Sequence, residues 1–452
     1  MNDRVRGLGR ALAITSLAVA LGACAGTSPT DSSLASDPGP FVLFTPDNKA
    51  VTYLMNKDGQ KVHEWNGQYG TGLSSYLLTN GQLLRTSSPP LNTFAAAPGA
   101  NGGRVELLDW DSRVVWSFDY ASEQHQQHHD VHRMPNGHVL MVAWEKRTAE
   151  EALAAGRRPE LVPAVGEVWP DTIIEVDPST SRIVWEWRTW DHLVPPGADP
   201  ADHPGLIDVN FAAENGADWT HANAVSYNPT LDQVVLSVRN FSEIWIIDHS
   251  TNTAEAASHS GGRLGRGGDL IYRWGQPEAY GKPGPQVLFG QHNPQWIEQG
   301  LSGAGHMIIF NNGDAVARPY STVVEIELPL QADGSYAYNA ATGYGPAAPV
   351  WEYRADPPES FFARIVSGAQ RLANGNTLVC DGPAGHFFEV TTDGRRVWDY
   401  TVKDSVGTAA HLNFRAVQYE ASYSGLAGRT LTPQGTITVP VPTAGEVHIT
   451  GG

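Results

Sequence analysis

One pattern recurs along the chain: a tight hairpin, a second hairpin, and a closing strand with tryptophan at its centre. The first hairpins are LSSYLLTNGQLL, turning at Asn80-Gly81, HDVHRMPNGHVLMV at Asn136-Gly137, and GAQRLANGNTLVC at Asn374-Gly375. ANAVSYNPTLDQVVLSV has Asn228-Pro229 in that place, and HNPQWIEQGLSGAGHMIIF has a longer turn. Asn-Gly marks a two-residue hairpin because both central residues must take positive φ. The closing strands are RVVWSF (Trp116), RIVWEW (Trp185), LIYRWG (Trp274), PVWEYR (Trp351) and RRVWDY (Trp398). Each unit is four antiparallel strands, which describes a propeller blade.

The chain ends supply one more unit. TYLMNKDGQKVHEW, ending at Trp65, has the second hairpin but no first one, and Asn413–Tyr419 near the C-terminus has the reverse deficiency. Pairing them predicts an all-β, six-bladed β-propeller closed by its two ends, which also covers edges that would otherwise template aggregation. The competing count is seven blades, the last built from the tail TITVPVPTAGEVHIT. Residues 24–452 over six blades give about 71 per blade against the usual 40–45 or so, so long insertions are required. They fall at Trp190–Trp219, Ala254–Gly290 and Leu330–Pro349, with a short helix in TAEEALAAGR capped by Thr148 and Glu151.

The chain carries a formal charge of -18 with 30 Lys+Arg against 48 Asp+Glu. That balance argues against a nucleic-acid binder, which needs clustered cations. Residues 1–23 combine Arg4, Arg6 and Arg10 with the apolar run Ala11–Leu21 and end in Leu-Gly-Ala before Cys24. This resembles a bacterial lipobox and predicts a cleaved leader at 1–23 and a lipid on Cys24. A tether at 24–40, a propeller at 41–432 and a C-terminal tail at 433–452 would follow. The expected location is the cell envelope, on its periplasmic or extracellular face, with the membrane reached through the lipid.

Inner strands line a propeller's channel, so their starting residues converge on the axis. Counting back seven from each turn Asn gives Leu73, His129, His221 and Ser367. Matching strand starts in the other two units gives His292 and His411. Four imidazoles at six equivalent places is a strong concentration in a chain with 16 His. His128 and His132 compete with His129 for the inward position. His63, His138, His249, His259 and His306, in turns and strand ends, are expected to be solvated. Asp218-Trp219-Thr220-His221-Ala222-Asn223 adds an acid and a carboxamide, and Arg239 ends the returning strand at the same end of the channel.

Arginine offers planar, permanently charged donors for a tetrahedral oxyanion. Neutral histidine can attack such a centre or move protons near pH 6.5. Sulfuryl or phosphoryl transfer needs mainly positioning and stabilisation of equatorial oxygens. The motifs DWTHANAVSY, LSVRNFSEIWIID, LIYRWGQPEAYGKPGPQVLFGQHNPQWI and GAQRLANGNTLV resemble those of the bacterial aryl sulfate sulfotransferases across most of residues 41–420. The resemblance implies a six-bladed propeller that moves a sulfuryl group from an aryl sulfate ester to a phenolic acceptor, without a nucleotide donor, through a covalent sulfohistidine.

By motif, His292 matches the nucleophile; His221, Asn223 and Arg239 match groups that hold the sulfuryl oxygens and assist transfer; and His129 matches a further catalytic histidine. Ser367 and His411 join as substrate contacts from repeat position alone. No cofactor and no metal is expected for this transfer. Two other readings are a metal-binding propeller enzyme using His129, His221, His292 and His411, and a non-catalytic, lipid-anchored binding propeller. The best-known family form has an N-terminal β-domain and a disulfide with no counterpart here, so its oligomeric state is not carried over.

Overall fold

The computed structural model describes residues 39–90, 94, 102–404 and 412–439; the predicted leader, Cys24, His411 and the end of the tail lie outside the described residues. Six four-stranded antiparallel sheets form a six-bladed β-propeller. Blades 1 and 2 start from inner strands Gly70–Leu77 and His125–Arg133, blades 3 and 4 from Ala222–Asn228 and His292–Trp296, and blade 5 from Gly368–Arg371. In blade 6 the inner strand Asn413–Tyr419 pairs with Phe41–Pro46, in the register Phe41 to Tyr419, and the outer strands are Val51–Asn56 and Lys61–Asn66. The alternative of a seventh blade is not met among the described residues. There the tail makes isolated bridges at Thr436 and Val439, and Ile437 and Val439 pack against Val42, Phe44 and Cys380.

The recurring tryptophan has a physical reason. Each outermost strand presents its indole to the turn between the third and fourth strands of the next blade. Trp116 Nε1 donates to Ser181 Oγ at 3.1 Å, Trp185 to Thr251 Oγ1 at 3.2 Å, and Trp274 to Pro346 O at 2.9 Å. Trp351 donates to Thr392 O at 2.8 Å and Trp398 to Lys57 O at 2.7 Å. Trp65 completes the circuit differently, packing edge-on against Trp110 of blade 1 at 5.1 Å. The repeat is therefore a ring of inter-blade staples, each hydrogen bond contributing about 1 kcal/mol.

A second set of links corrects the expectation of solvation for His138, His249 and His306, while His259 is exposed as expected. A buried glutamate on the third strand of blades 2, 4 and 5 is held by turn residues. His138 and His249 bind Glu175 at 2.5 and 2.8 Å, His306 binds Glu325 at 2.6 Å, and Asn374 and Asn376 bind Glu389. His249 lies between Glu175 and Asp232, with its second nitrogen 2.9 Å from the latter. Burial opposes its charge, but the two carboxylates outweigh burial and push its pKa up to about 9. A raised folded pKa gives stability that is complete below the unfolded value near 6.5 and disappears as pH rises through about 9. Denaturant titrations at either end of that window are expected to show the wild type losing about 3 kcal/mol more than His249→Gln. Equal losses in both proteins would remove the imidazolium from the account.

The extra length lies where it was expected. Thr148 and Glu151 form a reciprocal capping box on the helix Ala149–Ala154. The stretch 190–219 is loops and short 3-10 turns whose Ile207, Val209 and Trp219 join the core shared by blades 2, 3 and 4. That packing fixes Asp218 and His221 at the channel mouth.

Candidate functional site

Five of the six inner strands carry a backbone kink in or just before the strand. Leu73, His129, His221, Asn293 and Ser367 have φ of 108°, 52°, 51°, 54° and 84°. In blades 1 to 4 the strand register slips beside the residue concerned. Left-handed φ is unfavourable for side chains of this kind and persists only where surroundings over-determine it, a recurrent property of functional sites. The kink corrects one alignment. In blade 4 it falls on Asn293, so His292 stands one residue ahead of the position held by His129 and His221. It reaches the same place nonetheless: Phe414 lies 6.3 Å from the His292 ring and 6.0 Å from that of His129, and His129 lies 4.6 Å from His221.

The bonds around His292 fix its tautomer. Asn312 donates both amide hydrogens, to Ala363 O at 2.7 Å and to Val366 O at 2.9 Å, so its Oδ1 is left as an acceptor. His292 Nδ1 lies 2.8 Å from that oxygen and 3.1 Å from Gly290 O, both acceptors, and must carry the proton. The lone pair of the neutral ring is then on Nε2. Burial, and next the Arg239 guanidinium, hold the His292 pKa well below its ordinary value, with the Asn312 bond opposing only in part. His292 is therefore neutral across the physiological range.

The two other rings are oriented by buried acids. His221 Nδ1 is 2.5 Å from Asp218 Oδ2, while Asp218 Oδ1 accepts Trp144 Nε1 at 2.9 Å. Burial pushes the Asp218 carboxyl up, but His221, His128 and the indole more than compensate and hold it below the usual range. Asp171 accepts Thr220 Oγ1 at 2.5 Å, Ala222 N at 2.6 Å and His128 Nε2 at 2.8 Å. With Nε2 turned to Asp171, His128 faces His129 Nδ1 with its own Nδ1 at 2.7 Å. Of the crowded histidines, His129 thus meets His221 and His128 stands behind it. Burial, then His221, His128, His292 and Arg239, keep the His129 pKa well below its ordinary value.

Arg239 follows the strand Gln233–Val238; its N–H donates to His221 O at 3.1 Å and its guanidinium to Asn240 Oδ1 at 3.1 Å. Asn223 is fully buried and donates to Gln291 O at 2.9 Å, fixing the backbone just before His292, while its Oδ1 has no partner among the described residues. Ser367 is not brought into the site: its hydroxyl accepts from Gly382 N and donates to Ile365 O, and the side chain is buried. Its neighbour Val366 instead packs with Leu73 and Phe414, flanked by Ile365 and Leu412. Blades 2, 3 and 4 thus give the mouth its imidazoles and cation, and blades 5, 6 and 1 give it an apolar wall. His411 is outside the described residues.

Sequence reasoning missed Asn312, Asp171 and Phe414. Asn312 was accessible, because it follows the second strand of blade 4 as Arg239 follows that of blade 3. Further along the channel, Arg415 donates to Asp130 Oδ2 at 3.0 Å and to Tyr76 Oη, and Tyr76 donates to Asp130 Oδ1 at 2.7 Å. Beyond this layer a cavity of about 920 Å³ is lined by the later inner-strand residues, among them His132, Gln295 and Gln370, and by none of His129, His221 and His292. The three histidines therefore lie outside this cavity, buried beside the earlier residues of the inner strands.

The arylsulfotransferase (ASST) family model matches residues 109–422, more than half of the chain. The chain belongs to the arylsulfotransferase family. Membership supports a sulfotransferase enzyme with an aryl sulfate as donor and a phenol as acceptor. His129, His221, Arg239 and His292 all fall within the matched residues. No curated protein matches the chain. Among solved structures, a protein of unknown function from Bacteroides caccae is 13% identical, with 84% of this chain and 98% of that one covered at a TM-score of 0.48. Virginiamycin B lyase from Staphylococcus aureus is 10% identical, with 74% and 70% covered at 0.33.

Proposed function

We propose that this arylsulfotransferase works by ping-pong transfer through a covalent sulfohistidine at His292, independently of a nucleotide donor. The observation that carries the reading is the tautomer of His292, neutral with its proton on Nδ1 and its lone pair on Nε2. In the first half-reaction Nε2 attacks the sulfur of the aryl sulfate. An N–S bond forms, the S–O bond to the ring breaks, and the electron pair leaves on the phenolate oxygen, which takes a proton from imidazolium His221. Asp218, 2.5 Å away, stabilises that imidazolium.

Arg239 offers donors to the equatorial oxygens as charge spreads over them. The apolar wall of Leu73, Val366 and Phe414 receives the aromatic ring. In the second half-reaction the acceptor phenol loses its proton to His221 as its oxygen attacks sulfur, and His292 departs as neutral imidazole. The Asn312 amide contributes here: it binds the Nδ1 proton without being basic enough to remove it, so the sulfated ring keeps its positive charge and remains a good leaving group. His129 supports His221, and Asn223 positions the backbone before His292; Ser367 has no part, and His411 remains a proposed contact from the sixth blade. The enzyme is proposed to be exported and held at the cell envelope by a lipid on Cys24, its acidic exterior surrounding a small cationic mouth.

Incubation with an aryl sulfate in the absence of acceptor, followed by neutral or alkaline quench and peptide mass spectrometry, is expected to find one sulfuryl group on His292. Phenol should be released in a burst equal to the enzyme present. Turnover with no burst and no modified histidine would point to direct transfer between substrates instead.

A further inference from the structure

Away from the channel, three side chains converge on the outer side of blades 2 and 3. His192 ends the 3-10 turn Thr189–His192 after the outermost strand of blade 2. His259 and Asp269 lie on the insertion that follows the third strand of blade 3. His192 Nδ1 is 2.9 Å and His259 Nδ1 2.7 Å from the same carboxylate oxygen, Asp269 Oδ1. One donor atom from each residue lies within 4.8 Å of the other two.

The hydrogen-bond roles at His192 make this more than a pair of contacts. Its Nε2 faces the Ala256 carbonyl at 2.8 Å and must donate there, so in the neutral ring Nδ1 holds a lone pair aimed at a carboxylate. Two acceptors facing each other at a ring that is 0% exposed need a proton, on the imidazole or on the carboxyl, or a cation between them. A histidine whose far N–H is fixed by a backbone carbonyl is the usual state of a metal ligand. The ring is also clamped in place. It stacks on Trp187 at 5.5 Å, and Trp187 Nε1 donates to Gly268 O at 2.7 Å. A Cβ on Gly268 would lie 2.5 Å from His192 Nε2, so only glycine allows the loop to close this tightly.

We propose that His192 Nδ1, His259 Nδ1 and Asp269 Oδ1 bind a divalent transition metal, with zinc the best match to two imidazoles and one carboxylate. Water completes a tetrahedron. Loading requires the 2.9 and 2.7 Å contacts to Asp269 Oδ1 to open slightly, since ligands about 2.0–2.1 Å from zinc stand somewhat over 3 Å apart. Any proton on His192 Nδ1 is released on binding. The ion ties the glycine-rich loop 258–269 to the end of blade 2, and its three ligands are none of the residues proposed for sulfuryl transfer.

The test uses the tag-free chain, stripped with chelator and titrated with Zn2+ by calorimetry and thermal denaturation, alongside His259→Gln. His259 is exposed, so this variant removes a ligand with little risk to the fold. The wild type is expected to bind one equivalent more than the variant, to gain thermal stability on loading, and to lose it with chelator. Co2+ should give the visible spectrum of a tetrahedral site in the wild type alone, and aryl sulfate turnover should be equal in the two proteins. Equal zinc stoichiometry in wild type and variant, including none in either, overturns the site and leaves a His192–Asp269 hydrogen bond in its place.

Discussion

His292→Ala should lower kcat/KM for aryl sulfate roughly 10⁴-fold or more, and no sulfuryl adduct should form. The size follows from the step removed. Every turnover in the proposed cycle needs an imidazole nitrogen to receive sulfur and then release it, and neither a water nor a neighbouring ring takes over that position. His129 and His221 are close, but each has its Nδ1 turned to another partner, His128 and Asp218, and neither contacts Asn312. His292 is 2% exposed, so alanine also leaves a hole at the axis. His292→Asn separates the two effects. Its side-chain amide can still donate to Asn312 Oδ1, but it offers no nucleophile, so it should recover stability without recovering turnover. Activity within tenfold of wild type in the asparagine variant would transfer the nucleophile's role elsewhere.

How much of this could be read from the chain depends on whether the determining contacts are local. The blades were legible because Asn-Gly turns and a central tryptophan are properties of a few consecutive residues. Closure by the chain ends was legible because each end lacked the half that the other possessed. Counting seven residues back from the turn found Leu73, His129, His221 and Ser367, and all four have positive φ. The interval from kink to turn is therefore constant wherever the turn is short. It failed in blade 4, where residues 297–306 separate the strands and the strand start had to serve instead.

What the residues do after arriving was less legible. Ser367 holds the equivalent place, yet its hydroxyl is taken by the backbone at Gly382 and Ile365. His249 looked solvated because its two carboxylates come from Glu175 and Asp232, one of them on another blade. The tautomer of His292 depends on Asn312, 20 residues later, and through it on carbonyls more than 50 residues further along the chain. Pattern thus located the side chains, while protonation required the bonds between blades.

The same reasoning assigns two separable effects to Arg239. As the cation proposed to hold the sulfuryl oxygens, its loss in Arg239→Ala should reduce kcat/KM about 10²–10³-fold, the range for removing one preorganised charge-stabilising donor. Arg239→Lys should recover only part of this, because a compact ammonium cannot reproduce the planar, multiply donating guanidinium. The second effect is on pH. Burial and then Arg239 depress the His292 pKa, and the first half-reaction requires that ring neutral. In the wild type the acidic loss of kcat/KM should therefore fall well below pH 6.5, the ordinary histidine value. Removing the cation lets the pKa rise, so the acid limb of Arg239→Ala should move upward towards that value, while Arg239→Lys, which keeps the charge, should leave it nearly in place. A residue that merely shaped the pocket would reduce activity equally at all pH values. An unmoved acid limb in the alanine variant would show that Arg239 does not set the charge state of His292, whatever its effect on rate.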